Sequence, residues 1–344
     1  MAQAAQGNCV ARVNDKVVFV KYAAPGDVAD IRVSGKKKKF LIADIENLKK
    51  PSEQREDTFC SHFGTCGGCK WQHLKYKNQL EFKEQEVKDA FQRIGKVEPK
   101  EYLPIIGAGE TREYRNKVEY TFSNKAWIDA FDKENPEQKN ALGFHVPKRF
   151  DKVLDLDECH LMPVKANDIR LFVKRTAEAE GISFFDIRQQ TGLLRNLMVR
   201  RTSLGHWMVL LSISKKDQKA LDILLGGLKE KFPFITSLLY VINNKQNDTI
   251  FDLKVHTFWG NDLIEEKIGD YTFMIRPKSF FQTNTEQAKV LYDLAKEFAD
   301  LKENEVVYDL YTGTGSIAIY NSADAKKIVG IEYVEDAVRD AKEN

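Results

Sequence analysis

The sequence predicts a multidomain chain of mixed α+β and α/β class: a small N-terminal β-barrel, a central α+β domain, and the opening of an α/β domain. Three observations carry this. Four short strand-like runs separated by turn signals crowd into residues 9–46. Strand-like and helical runs alternate from Glu113 to Phe251. A strand, a glycine turn, a helix and a second strand follow from Glu305 onward. The divisions fall at residues 1–54, 55–270 and 271–344.

The 344 residues are 42% hydrophobic and 30% charged, enough for several cores and unlike a disordered chain. Lys and Arg total 53 against 51 Asp and Glu, so the formal charge of +2 points to no partner. No run approaches the roughly 20 apolar residues that span a bilayer. Residues 1–7 carry neither the basic nor the apolar stretch of an export signal. A cytoplasmic protein with no membrane partner is expected.

In the first segment the expected strands are Cys9–Val13, Lys16–Tyr22, Asp27–Val33 and Lys39–Glu46. Asn14-Asp15 marks a tight hairpin, and Pro25-Gly26-Asp27 a second turn. Residues 1–54 hold 10 Lys/Arg and 6 Asp/Glu, and Lys36-Lys37-Lys38-Lys39 forms a basic loop. Such a run alone is more often a solubilising turn, but on a small barrel joined to the motifs below it suits nucleic-acid phosphates. A helix is expected over Leu74–Ile94. The central domain should contain strands Val118–Ser123, Leu193–Thr202 and His206–Ser214, with helices Asn167–Glu180 and Lys216–Phe232.

Five cysteines are present: Cys9, Cys60, Cys66, Cys69 and Cys159. Three fall in a Cys-x5-Cys-x2-Cys run, with Gly67-Gly68 letting the backbone bend around a centre. Four thiolates suit tetrahedral zinc or a 4Fe-4S cluster. A compact triad with one remote cysteine is closer to iron–sulfur usage than to a zinc ribbon, which pairs two Cys-x2-Cys units. Cys9 reads as a small buried hydrophobe. His62, His73 and His160 read as neighbours of the cluster, and Trp71 as a core anchor.

The last segment begins with Ser279-Phe280-Phe281-Gln282-Thr283-Asn284 and a helix Thr285–Leu301. It continues with strand Glu305–Leu310, the turn Tyr311-Thr312-Gly313-Thr314-Gly315, a helix from Ser316, strand Lys327–Tyr333 and a helix from Val334. Glycines after a strand let the backbone approach a ligand, and an acid about twenty residues on, Glu332, can accept from ribose hydroxyls. Ala318 stands where a dinucleotide fold would want its third glycine. The Asp309-x-Tyr311-x-Gly313-x-Gly315 form instead resembles the first motif of class I S-adenosylmethionine methyltransferases.

Taken together these segments resemble the RNA uracil-5 methyltransferase family, most closely its 23S rRNA branch. The matching pieces are the cysteine run with Trp71-Gln72-His73, Tyr114-Arg115-Asn116-Lys117, Asp157-Glu158-Cys159, Gly192-Leu193-Leu194-Arg195-Asn196, the Phe-Phe-Gln motif and the glycine turn. The resemblance implies that the barrel is an OB-like TRAM domain that binds RNA. It implies a 4Fe-4S cluster held by Cys60, Cys66, Cys69 and Cys159 in the central domain. It makes the last segment a Rossmann-like domain that holds S-adenosylmethionine through Gln282, Tyr311 and Glu332, with Gly313 shaping the turn. Barrel and cluster favour 23S rRNA over tRNA as substrate, and a monomer with no obligate protein partner. Arg112, Arg115, Lys117, Arg195, Arg200 and Arg201 are candidate phosphate contacts, each weighed evenly against a solvated strand face.

The family's nucleophilic cysteine and general-base glutamate lie beyond the second cofactor strand, and no cysteine follows Cys159. No catalytic residue is therefore assigned. The chain is expected to be C-terminally truncated, inactive as it stands, and weakly folded beyond about residue 270. The competing reading is a non-catalytic RNA-binding protein that keeps the barrel and cluster. A radical enzyme fits less well, since that chemistry wants Cys-x3-Cys-x2-Cys.

Overall fold

The computed structural model describes residues 2–4, 7–128 and 139–344. The chain forms two compact units, residues 1–109 and 110–344. Among the described residues no helix is long and apolar enough to cross a membrane.

The first unit opens with a five-stranded sheet: β1 (Ala2–Ala4), β2 (Asn8–Val13), β3 (Lys16–Lys21), β4 (Val28–Lys36) and β5 (Phe40–Lys50), ordered β1-β2-β3-β5-β4. Asn14 and Asp15 both take positive φ, 49° and 60°. That is the pair of left-handed residues a two-residue hairpin needs to match strand twist. Alternate residues of β2, β3 and β5 point inward, so Cys9, Val18, Val20 and Ala43 form a core with Ala23. Lys36 ends β4, and the Lys37 N–H donates to Phe40 O at 2.9 Å, which closes the lysine hairpin with all four side chains exposed. Helix α1 (Tyr76–Asp89) matches the middle of the expected helix, and its last turn loosens into a π-turn at Ala90–Gly95.

The second unit is built on seven strands. In chain order they are β6 (Lys117–Ser123), β7 (Ala141–Val146), β8 (Arg149–Asp155), β9 (Leu194–Arg201), β10 (Trp207–Ile213), β11 (Ser237–Ile242) and β12 (Val255–Gly260), with α2 (Val164–Ala179) after β8. Their order is β12-β11-β10-β9-β6-β7-β8. Only β10–β11 is parallel, and a helical crossover joins those two strands as parallel pairing requires. That crossover corrects the expected single helix over 216–232. It is α3 (Gln218–Leu221), a π-turn at Asp222–Gly226, then α4 (Gly227–Lys231). Gly226-Gly227 weakens the helix there, and the Gly227 backbone lies so close to the Phe172 ring that a Cβ would sit 2.9 Å from it.

The remaining elements are the hairpin β13 (Ile264–Ile268) and β14 (Tyr271–Ile275), α5 (Thr285–Ala299), β15 (Val306–Leu310), α6 (Ser316–Tyr320), β16 (Lys327–Ile331) and α7 (Glu335–Glu343). Met198, Met208, Leu210, Leu239 and Val241 of the large sheet share one core with Ile264, Phe273, Phe281, Ala288, Tyr292 and Tyr320. Packing therefore runs continuously across residue 270, and the core persists as far as Tyr320.

Candidate cofactor site and cysteine loop

The glycine turn follows β15, which pairs in parallel with β16. Gly313 and Gly315 have φ of 58° and 77°, a region glycine enters freely. Tyr311 adopts φ 63°, strained for an aromatic residue, and its ring is 84% exposed. Thr312 Oγ1 donates to Asp309 Oδ2 at 2.6 Å, and the Gly315 N–H donates to Thr312 O at 2.9 Å, which fixes the turn.

Glu332 stands immediately after β16. Its Oε1 accepts the N–H groups of Tyr333 and Val334 at 2.8 and 2.9 Å, and its Oε2 accepts the Gly313 N–H at 3.0 Å. The Val334 N–H, with those of Tyr333 and Gly313 and against the opposing effect of burial, holds the carboxyl below its ordinary range. The carboxylate thus stays an acceptor and ties the two strands' ends together. A carboxylate has about four lone-pair sites, so capacity remains for a ribose hydroxyl. Gly313, Tyr311 and Glu332 are brought together at one end of the β15–β16 pair.

Gln282 lies on the loop from Arg276 to Asn284, which two strands grip from the large sheet. Arg200 of β9 donates through Nη1 to Arg276 O at 3.2 Å and through Nη2 to Ser279 O at 3.1 Å. Asn116, just before β6, donates from Nδ2 to Gln282 O at 2.8 Å and from its backbone N–H to Thr283 O at 2.8 Å. Asn284 caps α5 by accepting from the Gln287 N–H at 3.0 Å. From the far side α7 supplies Asp340, which accepts from Ser279 Oγ at 2.6 Å and Arg276 Nη1 at 2.8 Å. Asn344 Nδ2 donates to Thr314 O at 3.1 Å, so α7 also ties this loop's neighbours to the glycine turn. Nothing in the sequence pattern flagged Asp340, a buried acid on a polar helix.

Two of the candidate phosphate contacts are corrected. Arg200 is fully buried and donates to carbonyls, and desolvation lowers its pKa to about 10. Arg195 is buried over the Phe185 ring at 4.2 Å and pairs with Asp248 at 2.9 Å while binding the carbonyls of Asn243, Lys245 and Asn247. Neither faces solvent. Arg115 and Arg201 are partly spent on Lys117 O and Glu113 O, and burial depresses the Lys117 ammonium. Arg112 is exposed.

Cys60, Cys66 and Cys69 occupy a loop of turns in the first unit, all half-buried, and the Gly68 N–H donates to Cys66 Sγ at 3.4 Å. Phe63 in that loop packs edge-on to Tyr22, with buried His73 beside both rings. His73 Nε2 lies 3.2 Å from Ala23 O, which fits the role of a hydrogen-bonding neighbour. Trp71 packs on the Gly7 backbone, where a Cβ would come within 2.4 Å of the indole, and edge-on to Phe82. The loop is further anchored by Arg55, whose guanidinium meets both Asp27 oxygens at 2.8 and 2.6 Å.

Cys159 belongs to the second unit. Buried Asn167 clamps its backbone, accepting its N–H at 2.8 Å and donating to its carbonyl at 3.3 Å. All four side chains, of Cys60, Cys66, Cys69 and Cys159, are half-buried. Among the described residues, however, no three His, Cys, Asp or Glu side chains are gathered closely enough to hold a metal ion. Cys9 differs: it donates to Ala23 O at 3.1 Å, and burial pushes its thiol up to about 12.

Residues 2–45 match the TRAM domain family. The chain is 48% identical to an uncharacterised RNA methyltransferase of Porphyromonas gingivalis, covering 99% of this chain and 75% of that one. It is 46% identical to one from Bacteroides thetaiotaomicron, covering 99% and 76%. Among solved structures it is similar to the Pyrococcus abyssi tRNA (uracil-54, C5)-methyltransferase in complex with S-adenosyl-L-homocysteine. There the TM-score is 0.70 and the identity 25%, over 99% of this chain and 76% of that chain.

Proposed function

The chain belongs to the RNA methyltransferase family, and from that premise we propose that it serves methyl transfer from S-adenosylmethionine to C5 of uridine. The observation that carries the cofactor reading is the meeting of Glu332, Gly313 and Tyr311 at the end of two parallel strands. There the Glu332 carboxylate would accept from the ribose, while Gln282 on its braced loop and Tyr311 would flank the ligand. The TRAM domain, with the exposed Lys36–Lys39 hairpin, would hold RNA phosphates.

The chemistry follows from the base. Uracil C5 is a poor nucleophile until a thiolate adds to C6 and makes C5 enolate-like. C5 then takes the methyl group, a general base removes the C5 proton, and the thiolate leaves. None of the five cysteines suits that thiolate. Cys9 is buried with a raised pKa, and the other four are the proposed ligands of a 4Fe-4S cluster. The cluster reading rests on their number and spacing, and no step is assigned to it.

For the RNA, 23S rRNA is the first reading, on the combination of TRAM domain and cysteine run. The likeness to a tRNA enzyme over 99% of the chain favours tRNA as a second. That alignment takes in the N-terminal sheet as well, so the sheet alone does not separate the two.

Titration calorimetry with S-adenosylhomocysteine tests the cofactor site, and no binding would sink it. RNA labelled with tritium at uridine C5 tests the chemistry, since methylation there releases the label to water. The 344 residues should bind cofactor without releasing label, and release would overturn the absence of a nucleophile among these cysteines. Anaerobically purified protein should absorb broadly in the visible and lose that colour in Cys69→Ser. A colourless protein with stoichiometric zinc would replace the cluster reading.

A further inference from the structure

Glu266 is an acid on a strand of alternating pattern, yet it faces inward and is 1% exposed. Its Oε1 accepts from Ser203 N–H at 2.9 Å, Ser203 Oγ at 2.5 Å and Lys267 N–H at 3.1 Å. Its Oε2 accepts from Thr285 Oγ1 at 2.8 Å. Thr285 Oγ1 also lies 3.0 Å from Asn116 Nδ2, whose other contact is Gln282 O at 2.8 Å.

The direction of every bond in this chain is forced. A carboxylate only accepts, so Thr285 spends its single O–H proton on Glu266. Thr285 can then only accept from Asn116, and Gln282 O can only accept. Both Nδ2 protons of Asn116 are therefore committed, and the carboxamide has one permitted orientation. From this geometry we infer that Asn116 is a positioning residue for the cofactor contact Gln282, with its orientation set by Glu266 through Thr285. The inference rests on the cofactor reading of Gln282. It adds a reason for a buried acid that the hydrophobic pattern did not anticipate, and a role for the Asn of the Tyr114-Arg115-Asn116-Lys117 motif.

A relay of fixed polarity makes an unusual prediction. In Asn116→Asp, two acceptors face the Gln282 carbonyl and a hydroxyl already committed elsewhere. In Glu266→Gln, with its new amide turned toward Thr285, that hydroxyl is driven to point its proton at the Asn116 amide. Each single change breaks the chain. Together they reverse it: Gln at 266 donates to Thr285, which donates to Asp at 116. Only the clash with Gln282 O remains.

The test is a double-mutant cycle on the 344-residue protein with two readouts. One is hydrogen exchange of the peptide covering residues 279–287 without cofactor. The other is affinity for S-adenosylhomocysteine. Each single variant should speed exchange in that peptide and weaken binding about tenfold, the upper end for one lost neutral hydrogen bond. The double variant should lose less of both than the two single variants' losses added together. Additive losses in the double variant, or unchanged exchange in Asn116→Asp, would overturn the relay. Faster exchange with unchanged affinity would reduce Asn116 to a structural role and overturn the positioning. Wild-type protein that binds no cofactor would instead sink the reading of Gln282 beneath it, while exchange still reports on the relay. Asn116→Ala, which adds no charge, guards against a fold lost to a buried carboxylate, and its unliganded melting temperature separates global from local effects.

Discussion

Two of the three sheets described in the second unit bury their residues very differently. In the seven-stranded sheet β10 is buried at every position and β9 at all but its last. In the β15–β16 pair Val306, Tyr308 and Leu310 are 50%, 63% and 61% exposed. Parallel strands normally have both faces covered. Here the exposed pair carries the glycine turn, and polar ties rather than apolar packing fix its end: Glu332 to Gly313, Asp340 to Ser279 and Arg276, Asn344 to Thr314. Within residues 110–344 the large sheet is therefore held through burial, while the end of the β15–β16 pair that carries the glycine turn is tied by hydrogen bonds.

The strongest challenge to this contrast is a matched pair of truncations. Leu197→Ala in β9, at a fully buried site, should cost about 2–5 kcal/mol, and Tyr308→Ala in β15 within about 1 kcal/mol, by urea unfolding. Equal losses would erase the distinction. Next in size, Asp340→Ala should cost about 1–3 kcal/mol. Its damage should stay local, with faster hydrogen exchange in residues 276–285 and 312–316 and none in β9 or β10. Glu332→Gln should cost about 0.5–1.5 kcal/mol, since its amide end cannot accept a backbone N–H, and weaken S-adenosylhomocysteine binding about tenfold, since a charge-assisted acceptor becomes a neutral one.

Acid sharpens the comparison last and most gently. Near the large sheet, burial alone would raise the Asp186 carboxyl. Lys125, the Gln189 N–H, the Asn124 amide and the Arg188 N–H overcome that and lower it to about 2. A depressed carboxyl stabilises the fold above its unfolded value, near 4, and that contribution fades to nothing as pH falls through about 2. Glu332 follows the same sign, starting from an unfolded value near 4.3. Carboxyl carbon shifts followed by NMR should show both titrating below these unfolded values. A Glu332 that titrates at or above 4.3 would mean its N–H contacts do not hold in solution.

Much of this architecture was legible because local rules and packing agree. Asn14-Asp15 announces its hairpin, and the strand-like runs at Cys9–Val13, Lys16–Tyr22 and Val118–Ser123 and the helical run from Thr285 fall on β2, β3, β6 and α5. The spacing from Gly313 to Glu332 announces a site whose members do meet. Other parts were hidden by competing forces. Gly226-Gly227 split a helix that periodicity made continuous. The hairpin Ile264–Ile275 escaped notice because Glu266 puts a charge on its inward face. Arg195 and Arg200 looked like surface cations because sequence shows charge but not the carbonyls waiting to receive it. Asp340 had no signal at all: its partners lie more than sixty residues away in sequence.

The packing of Trp71 against Gly7 has a practical consequence. The chain has four tryptophans, and Trp71 is the single one in the first unit, with Trp127, Trp207 and Trp259 in the second. Replacing those three with phenylalanine leaves one tryptophan, wedged between the Gly7 turn before β2 and the helix after the cysteines. Its emission then becomes an optical gauge of how that loop seats.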